Sequence, residues 1–162
     1  MYNKWLGSAM TNSSLKDYVS LFKSKPGLED YLVCKLDFYG ASMKFKARSN
    51  TLPLNGRTHS WKPDINMYCP LCDKDIEDLR HFLFTCSTLN SIRVDEFRKL
   101  EDQLLLHNLA DFWRLFMSGN LSIKMCLMLG LTTDEFPLNR IFDVFCKSYL
   151  KRAWTARSIN IV

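Results

Sequence analysis

Apolar residues recur along the chain at spacings of three and four, which is the period of an amphipathic helix. In the N-terminal third, this pattern predicts one helix over residues 14–25, ended by Pro26-Gly27, and a second from Leu28 to about Ala47. The pattern is lost over residues 52–57, where Asn55-Gly56 predicts a turn within a short extended stretch.

The helical pattern resumes in the second half of the chain. It predicts helices over residues 87–106, from Asn108 or Ala110 to Met117, over 123–129, and from Pro137 to about Ser158. Ser87 is a good N-cap residue, and proline is favoured in a first helical turn. The predicted fold class is therefore mainly α, a helical domain with a small metal-stabilised loop and little or no β structure.

A cluster of metal-ligand residue types lies between these two halves. Cys69, Cys72, His81 and Cys86 follow the spacing C-x2-C-x8-H-x4-C within 18 residues. Three thiolates and one imidazole can close a tetrahedron, and zinc is the usual ion for such a set. Four protein ligands leave no open position for water, so we predict one structural zinc ion per chain rather than a catalytic one.

The spacing of the last two ligands constrains the local backbone. On an unbroken helix His81 and Cys86 would diverge by roughly 140°, at about 100° per residue. Cys86 is therefore predicted to lie past a helix end, or after a loosened turn. The alternative is a group of buried free cysteines beside a surface histidine, which four ligand residues in one short window disfavour. A disulfide is not expected, because nothing marks the chain as secreted.

The composition is that of a globular protein rather than a secreted or membrane-spanning one. The chain has 162 residues, of which 47% are hydrophobic and 24% are charged, as in ordinary globular proteins. No secretory signal is recognisable, and the longest apolar run, residues 125–131, is too short to span a membrane. Cys34, Cys126 and Cys146 lie in apolar surroundings and are predicted to be buried thiols. We therefore expect an intracellular protein from a reducing compartment.

The chain divides into three regions that we expect to form one compact unit. Residues 1–66 form basic N-terminal helices and an extended lead-in, 67–100 form the zinc-binding loop and its following helix, and 101–162 form a C-terminal helical extension. The first region carries ten Lys and Arg against five Asp and Glu, whereas the other two are nearly balanced. The net charge of +5 at pH 7 is therefore concentrated before the metal motif.

The basic excess is densest over residues 38–63, which contain no acidic residue. Cations with interleaved rings suit a polyanion, because phosphates attract Lys and Arg and bases stack on aromatic rings. The candidate nucleic-acid contacts are Lys44, Lys46, Arg48, Arg57, Lys62 and Trp61, with His59 and Tyr68 as further stacking candidates. The alternative is a solvated face that keeps the protein soluble, and composition alone does not decide between the two.

The metal motif, with Phe82-Leu83-Phe84 between its last two ligands, resembles the zinc-binding region after the reverse transcriptase domain in non-LTR (LINE-like) retrotransposon polyproteins. Residues 29–32 resemble the upstream Glu-x-Tyr-Leu segment of that family. Residues 44–57 resemble its stretch of basic residues, leucine and Gly-Arg, and Arg93 resembles an arginine that often follows the last ligand. The resemblance covers about residues 15–97 and does not extend beyond residue 101.

The resemblance implies a nucleic-acid-associated module of nuclear rather than cytoplasmic location, which binds RNA or DNA. We expect no enzymatic activity, because the chain has neither the Tyr-x-Asp-Asp motif of a polymerase nor a Gly-Lys phosphate loop. The alternative function is a protein-interaction module. In that case the helices after Ser87 would dock a partner, with a purely structural zinc and no bound nucleic acid.

Overall fold

The structure is a computed structural model that describes residues 2–11, 18–19, 22, 27, 29–33, 37–130 and 136–160. Within these ranges the fold is mainly α, as predicted, and β pairing is limited to one antiparallel bridge between Tyr68 and Ile76. No helix in the described ranges is both long enough and apolar enough to cross a bilayer. The helices are α1 (Tyr2–Thr11), α2 (Asp30–Val33), α3 (Phe38–Arg48), α4 (Asn55–His59), α5 (Asn90–Leu106), α6 (Ala110–Ser118), α7 (Leu121–Leu129) and α8 (Phe136–Ile159), with a π-helical turn at His81–Thr85 before α5.

Helix α8 forms the centre of the core. It packs against α3, α5 and α7, and α6 joins α5 to α7 along the same side. Its buried face repeats at helical spacing, and the Phe145 ring contacts the rings of Phe97 and Phe116. The region outside the family resemblance therefore supplies the helix around which the rest is packed. The buried face includes Leu138, Ile141, Phe142, Phe145 and Tyr149, with Cys146, Leu150 and Ala153 beside them.

The predicted ends of the later helices are largely confirmed. Helix α6 ends at Gly119, and α7 ends at Gly130, whose φ of 85° is in the left-handed region that glycine tolerates best. The side chain of Asn120 caps α7 by accepting a hydrogen bond from the Ile123 N–H at 3.0 Å. Helix α5 begins a few residues after Ser87, at Asn90. Apolar spacing therefore predicts these helices, and local residues at 119, 120 and 130 set the ends of α6 and α7.

The prediction of one helix over residues 28–47 is wrong. Asp37 has a non-helical backbone, and its carboxylate accepts a hydrogen bond from the Gly40 N–H at 2.9 Å, which starts α3 as a separate helix. Residues 34–36, including Cys34, lie outside the described residues. Most of the helix predicted over 14–25 also lies outside them, although Tyr18 and Phe22 are described and buried.

The turn predicted at Asn55-Gly56 is also wrong, because these residues begin α4. Leu54 keeps the extended backbone expected before it. The Asn55 N–H donates to the carboxylate of Glu77 at 2.6 Å, and a negative charge stabilises a helix N-terminus. A contact from a distant residue thus converts a local turn signal into a helix.

Candidate metal centre

The first two ligands lie on a short hairpin over residues 67–77. The Cys69 N–H donates to the Asp75 carbonyl at 2.8 Å, and the Glu77 N–H donates to the Met67 carbonyl at 3.0 Å. At the tip, Asp73 has a φ of 52°, which turns the chain sharply. The turn brings Cys69 and Cys72 close together, with their sulfur atoms in one cluster.

The other two ligands flank the π-helical turn. The Cys86 N–H donates to the His81 carbonyl at 2.9 Å, the five-residue spacing that defines this wider turn. Cys86 itself has left the helical region, with φ −59° and ψ 119°. Both predicted features are therefore present: the turn between His81 and Cys86 is wider than an α-helical turn, and the helix ends before Cys86. The wider turn keeps His81 and Cys86 on the same side, where an α-helix would separate them.

The four ligand atoms form a compact cluster, all within 4.8 Å of one another. The Sγ atoms of Cys69 and Cys86 are 3.8 Å apart, and Cys72 Sγ is 3.3 Å from His81 Nε2. A tetrahedral zinc site has edges of about 3.8 Å between sulfurs and about 3.6 Å from sulfur to nitrogen, given its bond lengths. Cys69, Cys72 and Cys86 are free thiols, as expected. The donor set and its spacing therefore fit a metal ion.

The surroundings of the thiols differ. Burial raises the pKa of the Cys69 thiol to about 12. Burial acts on Cys72 in the same direction, but backbone hydrogen bonds from Lys74 and Asp75 outweigh it and lower the pKa of that thiol. Three thiolates in one buried cluster repel one another, so they become ionised together only when a cation neutralises them.

The ring of His81 is held on its outer side. Its Nδ1 atom lies 3.1 Å from the Thr85 hydroxyl and 3.5 Å from a carboxylate oxygen of Asp75, while Nε2 points into the cluster. A proton on Nδ1 satisfies these acceptors and leaves the Nε2 lone pair for a metal. Thr85 and Asp75 therefore orient the imidazole as a ligand, a role that the sequence did not reveal.

The π-helical turn is stabilised from both of the longest helices. Arg93 on α5 donates from Nη2 to the Cys86 carbonyl at 2.9 Å and from Nε to the Leu83 carbonyl at 3.2 Å. Arg93 is buried, and it is the arginine noted in the family resemblance. These two hydrogen bonds give it a structural role. From α8, the Tyr149 hydroxyl donates to the Leu83 carbonyl, and the Trp154 ring packs edge-on against Phe82.

The base of the hairpin is tied to the C-terminal end of α8. The fully buried carboxylate of Glu77 accepts two hydrogen bonds from Arg157, at 2.6 Å from Nε and 2.7 Å from Nη2. A cation near a helix C-terminus is favoured by the helix dipole alone, so the sequence does not indicate this partner for Arg157. No local signal marks Glu77 for burial, because Asp73, Asp75 and Asp78 have the same character and are exposed.

Two of the predicted nucleic-acid contacts are inside the fold. Lys44 is 2% exposed, and its ammonium lies 2.7 Å from the Asp143 carboxylate. Arg48 is 6% exposed and donates to the Leu129 carbonyl at 2.6 Å and to the Gly130 carbonyl at 2.8 Å. Both residues lie on the inward face of α3, and helical spacing from the buried Ala41 and Ala47 is the signal that could have found them.

The other predicted contacts are at the surface. Lys46 and Lys62 are exposed, and the Trp61 ring is 53% exposed, with the Arg57 guanidinium 5.1 Å from its centroid. Tyr68 is also exposed, whereas His59 is half-buried and its Nδ1 lies 2.8 Å from the Ile65 carbonyl. The candidate surface is therefore narrower than the sequence predicted, and His59 shapes the loop beside it.

Among the described residues, the four-ligand cluster is the one group of three or more side chains placed to hold a metal ion. No protein-family model, curated protein or solved structure matches the chain. The geometry of this cluster is therefore the observation from which a function is proposed.

Proposed function

We propose that the protein is a non-catalytic zinc-binding module of the retrotransposon-derived type, which binds RNA or single-stranded DNA beside a structural zinc. The observation that carries the proposal is the four-residue cluster, whose ligand atoms all lie within 4.8 Å of one another and whose Cys69–Cys86 and Cys72–His81 separations of 3.8 and 3.3 Å are close to the edges of a zinc tetrahedron. The hairpin would supply Cys69 and Cys72, and the π-helical turn would supply His81 and Cys86.

The metal in this proposal is structural. Bound Zn²⁺ supplies a cross-link between the hairpin and the π-helical turn, and structural zinc sites contribute folding free energy directly. Three thiolates and one Zn²⁺ carry a net charge of −1, so the site itself does not attract phosphate. Attraction of a polyanion is therefore assigned to the surrounding cations.

The nucleic-acid contacts in this proposal are the predicted residues that lie at the surface, Lys46, Arg57, Lys62 and Trp61. The guanidinium of Arg57 lies against the Trp61 ring, and half of that ring remains open to solvent. An exposed ring next to cations suits an unpaired base, which can stack there for about 1–3 kcal/mol. In a duplex the bases are already stacked on one another, so single strands are favoured. A nuclear location follows from this proposal.

The first test is metal content followed by nucleic-acid binding. Purified protein is expected to hold one zinc ion per chain by elemental analysis. Fluorescence anisotropy with labelled RNA, single-stranded DNA and duplex DNA is expected to show binding to the single strands that weakens steeply with salt. The absence of metal would contradict the proposed zinc site. The absence of any nucleic-acid binding at low salt would contradict the proposed binding function.

One observation favours a second function, a protein-interaction module. The helices after Ser87 expose several large apolar side chains, although Met128 and Leu129 of α7 are buried and unavailable. A dimer in solution that is lost in a Leu115→Ser/Ile123→Ser variant, together with no nucleic-acid binding, would favour this alternative. The exposed residues include Leu105, Leu106, Leu115, Met117, Leu121 and Ile123, and also Val94, Val144 and Ile159.

A further inference from the structure

We infer that Glu77 and Arg157 are positioning residues for the metal, so that the affinity of the four-ligand cluster depends on an ion pair outside it. The inference rests on the proposed metal site and deepens it. It assigns the C-terminal turns of α8 to the metal centre, although no residue of α8 is a ligand.

Glu77 ends the hairpin that carries Cys69 and Cys72. Its backbone N–H closes the hairpin on Met67 at 3.0 Å, and its carbonyl accepts from the Gly56 N–H at 3.1 Å. Its carboxylate is fully buried and takes both bonds from Arg157 as well as the bond from the Asn55 N–H. The hairpin is thus held at its base by α4 on one side and by α8 on the other.

Helix α8 also holds the segment that carries the other two ligands. The Tyr149 hydroxyl donates to the Leu83 carbonyl at 2.8 Å, inside the π-helical turn. Tyr149 and Arg157 are eight residues apart on one helix, which is about 12 Å along the axis. Because a helix is rigid over this length, it sets the position of the hairpin relative to the π-helical turn. That relative position determines whether the four ligand atoms converge.

Loss of the ion pair would change this position. A buried carboxylate without its partner carries a large desolvation penalty, which the chain can relieve by moving the hairpin outward into water. Movement of Cys69 and Cys72 away from His81 and Cys86 spoils the tetrahedron. By linkage, a metal that draws the ligands together also stabilises the ion pair.

The test compares Arg157→Gln with Arg152→Gln in the full chain. Arg152 is a matched control, because it lies on the same helix and forms ion pairs with Asp95 and Glu96 on α5, away from the hairpin. Co²⁺ is the probe, since it occupies tetrahedral thiolate sites and its visible spectrum reports ligand geometry. Affinity is measured by competition with a chelator of known affinity, at a temperature at which each variant is folded by circular dichroism.

Arg157→Gln is expected to weaken Co²⁺ binding by about 10- to 100-fold, the range found when residues behind metal ligands are removed, and to alter the visible spectrum. Arg152→Gln is expected to change affinity by less than about threefold and to keep the wild-type spectrum. The double variant Glu77→Gln/Arg157→Gln, which removes the unpaired charge, is expected to recover part of the affinity.

Equal losses in the two single variants would overturn the inference, because they would indicate general destabilisation. Unchanged affinity and spectrum in Arg157→Gln would also overturn it. If that variant does not fold, Arg157→Lys replaces it and is expected to bind about 3- to 10-fold more weakly, since lysine cannot form the two parallel bonds; unchanged affinity there counts against the inference. A wild-type chain that takes up no Co²⁺ would contradict the metal centre itself.

Discussion

The hydroxyl of Tyr149 donates a hydrogen bond of 2.8 Å to the carbonyl of Leu83, 66 positions earlier in the chain. Tyr149 is fully buried on α8, and Leu83 lies between the two ligands of the π-helical turn. A π-helical turn is a rare conformation that needs support from outside. This single contact therefore links the core of the protein to the geometry of the candidate metal centre.

Tyr149→Phe is expected to lower the free energy of unfolding by about 1–3 kcal/mol, because the buried Leu83 carbonyl loses the shorter of its two hydrogen bonds and the Phe82 carbonyl loses its bond to the hydroxyl. The measurement is urea unfolding of the metal-loaded protein. Tyr39→Phe is the control, since Tyr39 is 52% exposed and its replacement should leave stability within about 0.5 kcal/mol. Equal stability of the two variants would show that the contact does not support the turn.

Cys69→Ser or Cys86→Ser is expected to lose the bound zinc and to lower the melting temperature strongly. Binding of structural zinc is worth about 10–16 kcal/mol in small finger peptides, although a helical core survives here in part. Cys126→Ser is the control, because Cys126 is half-buried and lies outside the cluster. A Cys69→Ser protein with one zinc per chain and an unchanged melting temperature would refute the ligand assignment.

Removal of zinc with a chelator is expected to open the hairpin and the π-helical turn while most helical structure remains. The reason is that α5 and α8 pack through apolar side chains such as Leu100 and Phe145, which do not depend on the metal. Amide hydrogen exchange is expected to accelerate over residues 67–89 and to stay slow in the middle of α8. Uniform acceleration along both regions would instead show that the whole fold depends on the metal.

Substitutions of the basic residues are expected to separate into two classes. Arg48→Gln is expected to lower the free energy of unfolding by about 3–5 kcal/mol, because Arg48 is buried and forms an ion pair with Glu29 besides its bonds to two backbone carbonyls. Lys46→Gln/Lys62→Gln is expected to leave stability nearly unchanged and to weaken RNA binding with a shallower salt slope. Denaturant unfolding measures the stability of both variants, and fluorescence anisotropy measures their RNA binding.

RNA binding by Lys46→Gln/Lys62→Gln that equals that of the wild type at every salt concentration would exclude these two cations from the surface. Lys44 is unsuited to this test, because it is buried against Asp143 and its loss would disturb the core.

Gly56→Ala is expected to destabilise the protein by about 1–3 kcal/mol, because a Cβ atom there would lie 2.7 Å from Ile76 Cγ2 and 2.9 Å from the Glu77 carbonyl oxygen. The contact would push α4 away from the hairpin. Gly7→Ala is the control, since nothing lies within 4 Å of a Cβ at that position of α1. There alanine should be neutral, or stabilising by up to about 1 kcal/mol. Thermal unfolding of both variants gives the comparison.

Local spacing in the sequence determined the positions of several helices and the conformation of the turn between His81 and Cys86. The apolar periodicity and the glycines at 119 and 130 were sufficient to predict the four helices after the metal motif. The distance from His81 to Cys86 was sufficient to predict a departure from α-helical geometry between them. These predictions succeeded because helix periods, caps and chelate spacing depend on residues within a few positions of one another.

Only the tertiary structure decided which charges are buried and what holds the metal ligands in place. Arg48 finds its acceptors at Leu129 and Gly130, and Glu77 finds its partner at Arg157, about 80 positions away. An exposed and a buried lysine or glutamate look the same in a local pattern, because the difference lies in a partner brought close by folding. For that reason the sequence could identify the four candidate ligands, but only the packed helices show what orients them.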